Sequence, residues 1–360
     1  MLLLEPRPEP SRLLALLSPF VACIVTIAIG IALFVTLGKD PVQALQMFFY
    51  EPVKNTRAIA ELSIKAAPLL LIALGLSVCF RSGVWNIGAE GQFILGTIGA
   101  TGIALHVTQA SSSWMIVLVL LAGTASGMLW AGLTALLRDR CNASEILVSL
   151  MLVYVAEQVL SYLVHGPWRD PNGYNFPQTM TFLAQARVPR LFQGSRANWG
   201  VVLALACVGF FWLFMHRTLA GYRLEVAGLA PRAARYAGFS SRSALWTTLL
   251  LSGATAGLAG ALEVAGPVGQ LTTEVPLGYG FAAIIVAFVG RLEPIGVTLS
   301  SILMSMFYIG GELSQSRLGL PKSITGVFQG VLLFSLLTCD TLITSRVRFG
   351  KRRALSRAAP

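Results

Sequence analysis

The sequence is poor in charge. Only 12% of its 360 residues are Asp, Glu, Lys or Arg, about half of what a soluble surface carries, which excludes a soluble globule of this length. Histidine is nearly missing, with three residues, and the five cysteines (Cys23, Cys79, Cys141, Cys207, Cys339) stand singly, with no CxxC and no Cys/His ligand spacing. A zinc or disulfide framework is thereby excluded, and the thiols read as small apolar fillers. Also absent are GxxxxGK[ST], HExxH and GxSxG, so the chain shows no hydrolase or ATPase machinery of its own, and no metal site or bound cofactor is expected.

What fills the chain instead is apolar: 55% of residues, with a mean hydropathy of +0.71. Because a membrane-crossing helix needs about 20 apolar residues, we expect an all-α, polytopic membrane helix bundle of about ten transmembrane helices. They lie near 13–37, 61–80, 87–107, 114–137, 143–164, 199–216, 244–266, 279–291, 294–311 and 323–343, the eighth short and broken by Gly. The first apolar run is too long for a signal h-region and lacks an Ala-x-Ala cleavage site, so it reads as a retained helix. No soluble domain is appended, and 1–360 reads as a single transmembrane domain.

The net charge of +11 could mark a nucleic-acid partner, but the basic residues gather between apolar runs and so point to membrane lipid. With the N-terminus in the cytoplasm, 17 of the 27 Lys and Arg fall inside, nine outside, and Lys65 within a helix. The positive-inside rule then places both termini in the cytoplasm. Two long loops remain. The outer one, 165–198, carries Trp168, Tyr174, Phe176 and Phe182, suited either to a receptor or to the membrane interface. The inner one, 217–243, is rich in Arg, Ala and Gly.

Small residues mark helix contacts in lipid. Gly123/Gly127, Gly253/Gly257 and Gly326/Gly330 form GxxxG pairs, and Ser252, Ala256 and Gly260 share a face that ends at Glu263. Asn142 and Glu145 have the spacing of a helix cap with its reciprocal partner. His106, His165 and His216, like Glu312 and Asp340, sit near helix ends as interface anchors. Glu157 lies at mid-depth in the fifth helix and either lines a cavity or pairs with a neighbouring helix.

The stretch 81–92, RSGVWNIGAEGQ, carries most information. Asn86, Glu90 and Gln92 are costly in an apolar surrounding, and Gly83, Gly88 and Gly91 permit non-helical backbone, which lipid tolerates only where protein or a cavity satisfies it. Two readings stand: a broken helix start lining a translocation pathway, or an interfacial turn in which Glu90 caps a helix N-terminus. In the inner loop, Pro231 suits a first helical turn and Gly238 its end. A short amphipathic helix follows, either held at anionic headgroups or docked on a partner.

NIGAEGQ resembles the signature of permease subunits of ABC importers, in the branch that pairs with basic-membrane-lipoprotein-type receptors and carries nucleosides; ribose-type and branched-chain amino-acid permeases are more distant relatives. SEILVSLMLVYVA from Ser144, GYRLEVAGLAPRAARYAGFS from Gly221, GYGFAAIIVAFVGRLEPIG from Gly278 and TGVFQGVLLF from Thr325 extend the likeness in order. Val153 and Trp85 depart from it, standing where this branch commonly has Asn and Phe.

The resemblance implies a translocation subunit working by alternating access in a bacterial inner membrane, with ATP used by a separate ATP-binding subunit. It implies a second permease subunit in a heterodimer and a periplasmic or lipoprotein substrate-binding protein. The pathway reading of the polar residues then takes in Asn86, Glu90, Gln92 and Glu157. Gly228, Leu229, Pro231, Arg232, Ala233, Ala234, Arg235, Tyr236 and Gly238 become the ATPase-coupling segment, with Ala233, Ala234 and Tyr236 as docking face. A simple-sugar permease is one alternative. Another is an ion-coupled secondary transporter with Glu90, Glu157 and Glu263 as ion sites.

Overall fold

A computed structural model of the chain describes residues 2–6, 12–174, 176–192, 194–275, 278–321 and 323–349. Arg7 and the basic residues at 351–357, counted above toward the cytoplasmic side, lie outside these. The chain divides into two compact units, 47–313 and the two ends, 1–46 with 314–360.

In the terminal unit, α1 (Arg12–Thr36) packs against α13 (Ser323–Thr344), with Phe34 and Phe328 5.6 Å apart at their ring centroids. A short α2 (Pro41–Leu45) follows α1, started by Asp40, whose carboxylate accepts from Val42 N. The ends of this unit pair as a two-stranded antiparallel ribbon, β1 (Leu2–Pro6) with β2 (Ser345–Phe349), which the apolar pattern did not foretell. The GxxxG pair Gly326/Gly330 meets no heavy atom within 4 Å of a notional Cβ, so it marks no close helix contact among the described residues.

The larger unit holds α3 (Thr56–Arg81), α4 (Ala89–Ala104), α5 (Met115–Cys141), α6 (Glu145–His165), α7 (Trp199–Arg217), α8 (Leu219–Leu229), α9 (Pro231–Tyr236), α10 (Ser241–Glu263), α11 (Tyr279–Val289) and most of α12 (Pro294–Leu318). Every expected apolar stretch is helical. Six helices, α3, α5, α6, α7, α10 with its π-turn extension to Val268, and α12, are long and apolar enough to cross a membrane. This is a polytopic membrane protein whose membrane-capable segments are all helices among the described residues.

Its centre is a seam of glycines. A Cβ on Gly127 would lie 2.6 Å from Gly257 Cα, one on Gly253 2.6 Å from Gly127 O, and one on Gly260 2.9 Å from Thr97 N. Thus α5 and α4 both press their backbones on α10, the close approach that drives association where lipid removes any hydrophobic drive. α3 and α10 are the most buried membrane helices, at 83% and 72% of their apolar windows, whereas α5, α6 and α7 bury 22% each. The exposed faces of α5, α6 and α7 carry Leu129, Leu147 and Leu213, as lipid-facing helices should.

Two local expectations are corrected. Asn142 does not start α6; it ends α5 in the left-handed region (φ 50°), a conformation Asn tolerates. Ser144 takes the N-cap position of α6, and Glu145 pairs with Arg138 at 3.2 Å rather than capping. Cys141 is exposed, unlike the buried Cys79. The histidines behave as anchors: His106, His165 and His216 each place Nδ1 against the carbonyl four residues earlier, at 2.7, 2.9 and 3.1 Å.

Candidate functional site

Two helices are too short to cross the ~30 Å hydrocarbon core alone. α4 has 16 residues and α11 has 11, or about 24 Å and 16 Å at 1.5 Å per residue. Their N-termini meet: a Cβ on Gly280 would lie 2.8 Å from the carbonyl carbon of Ala89. Two helix N-termini present unpaired N–H groups and positive dipole ends to each other, and Glu90 resolves the conflict. Its Oε1 accepts from Gly278 N at 3.1 Å and its Oε2 from Gly280 N. Gly278, at φ 77°, gives the left-handed turn from which α11 starts. Glu90 therefore caps a helix, but one lying 188 residues away in sequence rather than its own.

The turn before α4 is held by amides. Asn86 and Gln92 exchange hydrogen bonds at 3.0 and 3.1 Å, Asn86 Nδ2 also donates to Ser252 Oγ at 3.0 Å, and Asn86 Oδ1 accepts from Gly88 N. Asn86, Glu90 and Gln92 are 0, 2 and 1% exposed, and each polar group has a partner, as burial requires. The structure thus brings the three residues together as the frame of a non-helical turn fastened to α10. Glu157 stands apart, half-buried on α6, within electrostatic range of Glu90. Val153 fills its position with an apolar side chain, 1% exposed, over Gly91. Trp85 is 44% exposed, with Phe80 (5.4 Å) and Phe288 (6.2 Å) behind it.

The turn is linked to the long loop by a glycine joint. A Cβ on Gly228 in α8 would strike the carbonyl of Arg81 and lie 2.9 Å from the carbonyl carbon of Ser82. α9 begins with Pro231 and ends at Gly238 (φ 79°), matching the sequence expectation. Leu229 and Tyr236 are exposed at 79 and 98%, and Arg232, Ala233 and Arg235 are exposed too, but Ala234 is only 3% exposed. Ala234 packs within its own chain and is not an outward docking residue.

Sequence reasoning missed the charged braces around this joint. Glu293 holds Arg81 at the end of α3 through Nη2, with His216 Nε2 3.4 Å from its other oxygen. Asp139 accepts from Trp246 Nε1 (3.2 Å) and pairs with Arg242 (2.7 Å). Asp139 lies in the last turn of α5 and Glu293 in the four-residue connection before α12, and the only signal was Glu293 between Leu292 and Pro294. At the opposite ends of the helices, Lys65 pairs with Glu312 at 2.5 Å and Arg196 with Glu61 at 3.1 Å. Glu312 is thus an α3–α12 tie rather than a terminal anchor.

The turn before α4 is thus tied to α10 through Ser252 and, through Gly228, to the loop that carries α9. The family model for the permease component of branched-chain amino acid transport systems matches residues 58–337. The chain is 32% identical to a glucose ABC transporter permease protein of Haloferax volcanii, over 96% of this chain and 93% of the relative. It is 27% identical to a guanosine ABC transporter permease protein of Bacillus subtilis (89% and 93% covered) and 26% identical to a nucleoside ABC transporter permease protein of Lactococcus lactis (88% and 89%). No solved structure matches. The chain belongs to this permease family and is a membrane-spanning permease subunit of an ABC importer, in the nucleoside and sugar branch.

Proposed function

We propose that this subunit carries nucleosides inward across a bacterial inner membrane by alternating access, with ATP hydrolysed by a separate ATP-binding subunit. The observation that carries the reading is the joint between Gly228 and Arg81. It ties a loop with exposed Leu229, Arg232, Ala233, Arg235 and Tyr236 to the turn framed by Asn86, Glu90 and Gln92. Closure of an ATPase under α9 would move α8, and α8 bears on the end of α3 and so on that turn. In this reading Asn86, Glu90 and Gln92 shape the pathway wall without touching cargo, and Glu157 faces the open side. The chain crosses ten times, with α4 and α11 each completed by non-helical backbone, both termini in the cytoplasm, and 165–198 outside. The whole of 1–360 acts as one permease domain with 217–243 as coupling loop, paired with a second permease subunit and served by a substrate-binding protein.

Trp85 supports the nucleoside cargo, since an exposed indole beside the turn offers a stacking face to a planar base. The 32% identity to a glucose permease supports a second reading, a simple sugar, whose ring also stacks on an indole. Membership in the family sets aside the ion-coupled alternative. Uptake of labelled guanosine, uridine, ribose and glucose into cells lacking this chain and into complemented cells tests the cargo. Chain-dependent uptake of the two nucleosides is expected; uptake of sugar alone overturns the nucleoside reading.

A further inference from the structure

At the helix ends remote from the loop that carries α9, three membrane-crossing helices bring ionisable side chains together. Lys65 of α3 pairs with Glu312 of α12 at 2.5 Å. Glu263, the last residue of α10, faces Lys65 and Arg196 as cations and Glu312 as a second carboxylate. Arg196 is already engaged by Glu61 at 3.1 Å. The Lys65–Glu312 pair is the exposed layer of the cluster, with 19 and 56% of its side chains accessible, whereas Glu263 is 8% exposed. Buried as it is, the Glu263 carboxylate accepts no hydrogen bond from any described residue.

A second buried group within electrostatic range of Glu263 is also left open. Tyr279, the first residue of α11, is wholly buried, its ring held edge-on by Phe93 and Tyr308 at centroid distances of 5.9 and 5.3 Å. Its hydroxyl has no hydrogen-bond partner among the described residues, and Glu263 leads the charged groups that act on it. Buried polar groups are normally paired, and an ionisable side chain inside a membrane is kept at a cost that marks function. A carboxylate offers two acceptor oxygens and a phenol one donor. Adjacent hydroxyls satisfy both: two O–H groups donate to the carboxylate, in the short charge-assisted manner, and a neighbouring ring or hydroxyl oxygen accepts from the phenol.

We propose that Glu263 and Tyr279 form a subsite for adjacent hydroxyls of the cargo's sugar ring, closed in this structure by the Lys65–Glu312 pair. The proposal rests on the importer reading above and holds for a nucleoside and for a simple sugar alike, since both carry such a pair of hydroxyls. Parting of α12 from α3 breaks the pair and opens the way to the carboxylate, while Lys65 remains to balance its charge. Cargo entering from outside meets this subsite before it reaches the turn that bears Trp85.

The test is ATP-driven uptake by the complete importer in proteoliposomes, with its own substrate-binding protein saturated by each cargo in turn. Uridine is set against 2′-deoxyuridine and glucose against 2-deoxyglucose, each analogue lacking one hydroxyl of an adjacent pair. Because parent and variant meet the same loaded binding protein, any preference of that protein cancels when their uptake ratios are compared. Glu263→Gln should lower the ratio of full cargo to deoxy analogue about tenfold, as loss of a hydrogen bond to a charged acceptor does, and Tyr279→Phe about threefold. Tyr279→Phe should also leave the Tm of the solubilised protein no lower than the parent's, since it removes no bond of the closed structure. Ratios within twofold of the parent's overturn the proposal whether or not overall uptake falls, because a purely structural role lowers both cargoes together. A Tm lowered by Tyr279→Phe overturns it too, by showing the hydroxyl already paired. If Glu263→Gln fails to assemble, Tyr279→Phe decides by its ratio and its Tm. A parent importer that takes up neither cargo with ATP would instead defeat the reading on which the proposal rests.

Discussion

Gly228→Ala is the smallest change that should uncouple this subunit. A Cβ there lies within contact of the Arg81 carbonyl and 2.9 Å from the Ser82 carbonyl carbon, both backbone atoms at the end of α3 that a rotamer change cannot move. Overpacking of this kind costs about 1–3 kcal/mol. If the strain is relieved by parting α8 from α3, the joined arrangement loses about five- to 150-fold in population relative to the parted one. The nearest neighbours of that Cβ are atoms of Arg81 and Ser82 and none of the glycines of the α4, α5 and α10 seam, so insertion and bundle packing should survive. The assay is cargo uptake beside ATP turnover in proteoliposomes holding the full importer, with Gly209→Ala in α7, where a Cβ meets nothing within 4 Å, as comparison. Uptake should fall at least tenfold while ATP turnover falls less. Uptake equal to the parent's would refute the joint as the route from loop to pathway.

Other changes test the frame. Glu90→Gln keeps one acceptor but turns an amide donor toward an N–H, and should destabilise the detergent-solubilised protein by about 2–3 kcal/mol, read as a lowered Tm; an unchanged Tm would remove Glu90 as the cap of α11. Gln92→Ala leaves the buried Asn86 amide short of its partner, an expected loss of about 1–3 kcal/mol by the same measurement. Glu293→Gln should loosen Arg81 and His216 together and reduce uptake without reducing membrane insertion, measured by transport against immunodetected protein in membranes. Tyr174→Ala/Phe176→Ala, both side chains exposed, should lower receptor-dependent uptake if those aromatics meet the receptor, and unchanged uptake would assign them to the membrane interface.

The helices were legible because apolar runs of membrane length have few alternatives, and the first two GxxxG pairs predicted the α5–α10 seam because lipid leaves close backbone approach as the drive. Pro231 and Gly238 marked α9 through backbone preferences that hold in any context. What could not be read were contacts set by distance in the fold. A cap was one of two readings of Glu90, but its client is at Gly278 and Gly280, and no local spacing names a partner that remote. Ala234 looked like an outward residue because a six-residue helix gives too little periodicity to tell its faces apart. Asn142 could serve as C-cap or N-cap between two abutting helices, and the left-handed turn decided it.

The central claim is that ATP hydrolysis on a partner subunit drives cargo through this chain. Uptake of labelled guanosine and uridine should be measured in cells with and without the chain, collapsing ATP and the proton gradient separately. The account predicts uptake that requires the chain and ATP and persists when the gradient is lost. Uptake that follows the gradient and persists without ATP would contradict it.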